Sequence, residues 1–177
     1  DYGAIKCAVY AIGGWADGVS FHDSTCSSNG RNGVTVTSAR NLTVQRVAFP
    51  KAGYCTFDIE PNTSSEGASN IRFLDNTAGS WSNSFLSAEG ASGSVVNGVT
   101  VSGNTVTGAS LVTIIQLARR QNIVFTNNTS LVSDNGPVLR FAHIDGLTVT
   151  GNVQPLSSGS LASITDSTSV IIDFQAN

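Results

Sequence analysis

The sequence predicts an all-β fold, a right-handed parallel β-helix solenoid of about seven coils. Three observations carry it: a gapless internal repeat, apolar alternation with period two inside each copy, and an Asn recurring at one position of the repeat. The copies are GVSFHDS from 18, NLTVQRV from 41, NIRFLDN from 70, GVTVSGN from 98, NIVFTNN from 122, GLTVTGN from 146 and SVIIDFQ from 169. Their starts are 23, 29, 28, 24, 24 and 23 residues apart. A leucine-rich repeat would need a helical half and its own Leu spacing, and a left-handed β-helix would need hexapeptide phasing; neither is present.

Each copy reads as a strand, because its second and fourth positions are apolar. In order these are Val19/Phe21, Leu42/Val44, Ile71/Phe73, Val99/Val101, Ile123/Phe125, Leu147/Val149 and Val170/Ile172. A second β-rich run precedes most copies: GVTVTS from 33, TFDIEP from 56, NSFLSAE from 83, LVTIIQ from 111, PVLRFA from 137 and LASIT from 161. Every coil is therefore expected to hold at least two strands. The seventh position is Asn76, Asn104, Asn128 and Asn152 in four consecutive copies. Stacked Asn side chains can bond to the copies above and below and satisfy turn backbone that would otherwise be buried unpaired.

Length and composition agree with one domain over residues 1–177. Hydrophobic residues make up 40% of the chain, too much for disorder, while charged residues are only 12%. A net charge of −3 and the lack of a basic stripe argue against a nucleic-acid partner. No apolar run approaches a membrane span, and no signal-peptide pattern opens the chain. The chain has no Met, so residue 1 is not a translation start, and a piece of a longer protein is expected. Cys7, Cys26 and Cys55 make neither a paired framework nor a metal spacing and read as small buried thiols.

Departures from the period point to function, since solenoids place insertions as loops on one side. From Val36 to Asn41 and from Phe141 to Gly146 is 5 residues, whereas Ile59 to Asn70 and Ser87 to Gly98 are both 11. The two longer loops, PNTSSEGAS and EGASGSVV, should stack and wall one edge of the upstream sheet. Beside them, in FDIEP, inward Phe57 and Ile59 leave Asp58 and Glu60 pointing outward together. Two carboxylates at i and i+2 lie about 6–7 Å apart at their Cα atoms, close enough to raise one pKa.

The stretch NGRNGVTVTSARNLTVQRVAF followed by FDIEPN resembles a motif of right-handed parallel β-helix proteins of the pectate-lyase-like superfamily, in bacterial and phage polysaccharide-directed proteins. The resemblance is specific for residues 29–62, where Arg31, Asp58, Glu60 and Asn62 match. It implies a polysaccharide partner in a groove along one sheet, with carboxylates and basic residues doing the chemistry, and an extracellular or virion-surface location.

For a hydrolase, Glu60 is expected as general acid with Asp58 as its partner. For a lyase, a base removes a proton beside a uronate carboxylate that Arg31 or Arg72 neutralises. No cofactor is expected, although Ca²⁺ on oxygens of Asp58 and Glu60 is possible chemistry. His22 and Asp23 are candidates to extend the groove, and Tyr54, Trp15 and especially Trp81 are candidate sugar platforms. Arg119–Arg120 read as a solvated corner and His143 as structural. A non-catalytic glycan- or receptor-binding module, trimeric or joined to further domains, is the alternative. A Thr ladder for ice, from Thr43, Thr100 and Thr148, is interrupted by Arg72, Val124 and Ile171 and is set aside.

Overall fold

The computed structural model describes residues 14–107, 112–114, 120–130, 139–154 and 162–176. Within them lie seventeen strands and no helix, and every strand pair is parallel. The main sheet is built from β1 (Ala16–Asp17) and β2 (Ser20–Thr25), then β4 (Ser38–Lys51), β6 (Gly67–Leu74), β9 (Val95–Ser102), β12 (Arg120–Thr126), β15 (Ile144–Gln154) and β17 (Thr168–Ala176). The upstream runs form a second sheet face from β3 (Val34–Val36), β5 (Cys55–Ile59) and β8 (Ser84–Ser87), followed by β11 (Val112–Ile114), β14 (Leu139–Ala142) and β16 (Ala162–Thr165).

A third set of short strands, β7 (Thr77–Ser80), β10 (Thr105–Val106) and β13 (Thr129–Ser130), was invisible in the sequence because most are only two residues long. Sequential strands stacked in order, all parallel, make a solenoid. Seven main-sheet rungs bound six intervals, and about five close into full turns, so the count of seven coils differs slightly from the winding.

The predicted inward positions are ladders in the structure. Leu42, Ile71, Val99, Ile123 and Leu147 are in register, as are Val44, Phe73, Val101, Phe125 and Val149, and all ten are buried. At the last rung, Val170 and Ile172 continue the same ladders but are 36% and 42% exposed, because among the described residues β17 pairs only with β15.

The Asn ladder is present and closed. The side-chain amide of Asn76 donates to Asn104 Oδ1 at 2.9 Å, that of Asn104 to Asn128 at 2.8 Å, and that of Asn128 to Asn152 at 3.0 Å. Each amide also donates back to a main-chain carbonyl one coil earlier, those of Val44, Phe73, Val101 and Phe125. The receiving Oδ1 atoms accept main-chain N–H groups as well, so these buried turns have their polar groups paired.

Left-handed residues bend the chain at both ends of the main-sheet segments, for example Asn41 and Arg46 in β4. Arg46 is an unusual residue for φ 52°, and its guanidinium is held by Asp23 of the neighbouring coil at 2.6 and 2.7 Å. Cys55 is a buried free cysteine as expected, whereas Cys26 is disulfide-bonded, which corrects the reading of three thiols; Cys7 lies outside the described residues.

Candidate functional site

The site grows from β5. Phe57 stacks on Phe73 with ring centroids 4.0 Å apart and meets the edges of Phe49 and Phe85, both at 5.2 Å. That aromatic anchor and the buried Ile59 fix the strand's facing, so Asp58 points to the outer side. There Asp58 is in register with Thr35 on one neighbour and Ser87 on the other. Counting two residues onward aligns Glu60 with Glu89 in the next coil. The alignment continues into the enlarged loops, where Ala91 N donates to Pro61 O at 2.8 Å.

Asn32 sets the Asp58 side chain. Its amide donates to Asp58 Oδ2 at 2.6 Å and to Thr35 Oγ1 at 3.0 Å, while its own oxygen accepts from Cys55 N at 3.1 Å. Arg31 Nη2 reaches Glu60 Oε2 at 3.1 Å in a half-exposed ion pair. Gly53 lets Tyr54 lie beside Arg31, since a Cβ at Gly53 would fall 2.1 Å from Gly30 O. Tyr54 N then donates to Arg31 O at 2.6 Å.

These residues enclose a pocket of about 250 Å³ lined by Arg31, Tyr54, Asp58, Glu60, Ser87 and Glu89. Asp58 is only 3% exposed, and its carboxyl is pushed up to about 7. Burial is the largest cause, followed by the charge of Glu60 and a hydrogen bond with it; Arg31 and Asn32 pull the other way. A larger groove of about 450 Å³ lies at the turns around Asp23, Arg46 and Asp75. Its Asp23 carboxyl is held below the usual carboxylate range by hydrogen bonds from Arg46 and then His22, so Asp23 and Arg46 are already paired, while Asp75 accepts from Gln45.

Several sequence-predicted residues fall elsewhere. His22 and Asp23 belong to the main sheet and its turn, with His22 Nδ1 2.8 Å from Asp23 Oδ2, and do not extend the carboxylate pocket. Arg72 is exposed on β6 and donates to Asn70 at 3.3 Å. Asn62 is exposed in the first enlarged loop, where its N–H and that of Thr63 bond to Glu66; it does not line the pocket. Trp81 is 7% exposed and packs on Phe85 with centroids 6.0 Å apart, so it is core and offers no platform. Tyr54, at 44% exposure, is the aromatic that borders the pocket, and Trp15 is exposed beside Ser65 and Glu66.

Sequence reasoning missed Glu89, Asn32 and Arg120. Aligning the two enlarged coils residue by residue would have brought Glu89 beside Glu60. Arg120 is fully buried rather than a solvated corner; Arg119 lies outside the described residues. Arg120 Nε donates to Ala88 O at 3.3 Å, and Nη1 donates to Ser94 O at 3.3 Å and Ser94 Oγ at 3.0 Å, clasping both ends of the second enlarged loop. A buried cation gives no periodic signal, so only the fold reveals it.

Both carboxylates of the pair already have partners within the protein. Arg31 already occupies Glu60, burial favours the protonated form of Asp58, and no group of three or more His, Cys, Asp or Glu among the described residues is arranged to hold a metal ion.

Fold and pocket together define a parallel β-solenoid with an acidic cleft on one sheet. Residues 7–174 match the family model of the right-handed β-helix region, and the chain belongs to that family. No curated protein and no solved structure matches it.

Proposed function

We propose that the chain is a polysaccharide-directed β-helix protein that hydrolyses a glycosidic bond in the pocket beside β5. The observation that carries this is Asp58, a buried carboxyl raised to about 7 that borders an open cleft. A carboxylic acid that keeps its proton near neutrality can give it to a glycosidic oxygen as the bond breaks. The expectation of Glu60 as acid is therefore reversed: Glu60, hydrogen-bonded to Asp58 and ion-paired with Arg31, raises the Asp58 pKa and orients it.

Hydrolysis also needs a second carboxylate, separated from the acid by about 5–5.5 Å for retention or 6.5–9.5 Å for inversion. Asp58 and Glu60 touch, so they act as one acidic unit, and Glu89 on the adjacent coil is the remaining carboxylate of the cleft. Tyr54 supplies an exposed aromatic side chain for a sugar. A second reading, a glycan-binding module without catalysis, is favoured by the Arg31–Glu60 ion pair, which neutralises one carboxylate as a binding surface would.

The test is product formation from neutral and acidic polysaccharides, scoring reducing ends and unsaturated uronates separately. For the parent, new reducing ends without unsaturation are expected, with activity falling as pH rises through about 7 as Asp58 loses its proton. Asp58→Asn should lose at least a hundredfold, in line with the roughly 10²–10⁴ supplied by general acid catalysis. Binding retained in parent and variant with no product from either would establish the binding module instead.

A further inference from the structure

We infer that the cleft selects glycans carrying no carboxylate at the bound sugar, and that Glu89 is the residue that turns uronates away. This rests on the polysaccharide reading above. Among the six lining residues there is one cation, Arg31, and it is bonded to Glu60. Of the remaining carboxyls, Asp58 feels Arg31 through space without an ion pair, and Glu89 has no cationic partner among the lining residues. The cleft is therefore negative by one charge with Asp58 protonated and by two when it ionises.

A uronate entering such a site meets a like charge in a partly desolvated space and finds no free guanidinium or ammonium to neutralise it. A β-eliminating lyase requires the reverse arrangement, with a cation facing the substrate carboxylate. Arg72, the other cation considered for that task, projects from the main sheet, away from the second sheet that carries the pocket. A neutral sugar needs only hydroxyl and ring contacts, for which Ser87, Tyr54 and the carboxylates are suited. An amino sugar would gain a favourable charge contact as well.

The backbone that carries Glu89 is anchored on both sides. Glu89 sits one residue past Ala88, whose carbonyl accepts from buried Arg120, and Ala91 N of the same loop bonds to Pro61 O of the loop below. Glu89 itself is exposed, so its repulsion acts at the cleft's rim from a backbone that is fixed at both ends of the loop.

The experiment compares several polyuronates with their own carboxyl-reduced forms, so that backbone and linkage stay constant while the charge is removed. Binding is measured by calorimetry with the parent, Glu89→Gln and Arg31→Gln. The parent should bind the reduced form at least tenfold more tightly, and Glu89→Gln should narrow that gap severalfold, as should raising the salt concentration. Arg31→Gln, which leaves the cleft one charge more negative, should widen the gap. Equal or tighter binding of any polyuronate than of its reduced form overturns the inference while leaving a polysaccharide function standing. No binding of either form on any backbone, nor of neutral or amino-sugar polysaccharides, overturns both.

Discussion

Asp58 is held in a setting that penalises its charge, and the penalty has a defined pH window. Its pKa rises from 3.8 to about 7 on folding, so the native state binds the more protons between those values. Stability from this group is therefore full below about pH 4 and lost as pH rises through about 7. Asp58→Asn removes the penalty while keeping the shape and the bond from Asn32. Denaturant midpoints should show the variant more stable than the parent by about 2–4 kcal/mol at pH 8, and equal to it near pH 4. An equal gap at both pH values would mean that Asp58 carries no such cost. A stabilising substitution that also abolishes cleavage is what a strained acid group predicts.

The two enlarged loops and the strands that launch them form the working element. Pro61 and Ala91 join the loops, Glu66 closes the first internally, and Arg120 ties the ends of the second. Arg120 is costly to bury: desolvation depresses its pKa, and its Nη2 has no hydrogen-bond partner among the described residues. Arg120→Gln keeps one or two of the clasping bonds at most. It should lower stability by about 2–3 kcal/mol and open residues 88–94 to limited proteolysis, while the parent resists the same protease dose. Unchanged proteolysis would show that the loop holds itself.

Across the whole solenoid, stability is summed from neighbouring coils, and the Asn ladder runs through four of them. An interior member bonds on both sides, whereas Asn152 has its ladder partner Asn128 on one side only among the described residues. Asn104→Ala should therefore cost about 3 kcal/mol and Asn152→Ala about 1 kcal/mol less, the worth of the one ladder bond it lacks, read from denaturant midpoints. Equal costs would mean that the ladder acts residue by residue. At the far end, Val170, Ile171 and Ile172 are exposed on β17, whose outer edge pairs with no other described strand.

The repeat, the alternation and the Asn spacing were enough to settle the architecture, because strand facing and coil period are local properties written into every copy. The outward facing of Asp58 and Glu60 was legible for the same reason, as was the stacking of the two enlarged loops. Alternation tells which way a side chain points but not what it meets on the next coil, nor on which of three faces it lies. Hence His22, Asp23 and Arg72 were assigned to a groove they do not border, and Trp81 to a surface it does not reach. Burial of Arg120, the pairing of Arg31 with Glu60 and the approach of Glu89 arise between coils 23 to 29 residues apart. Only the winding of the chain, which converts sequence separation into contact across about 4.8 Å, decides them.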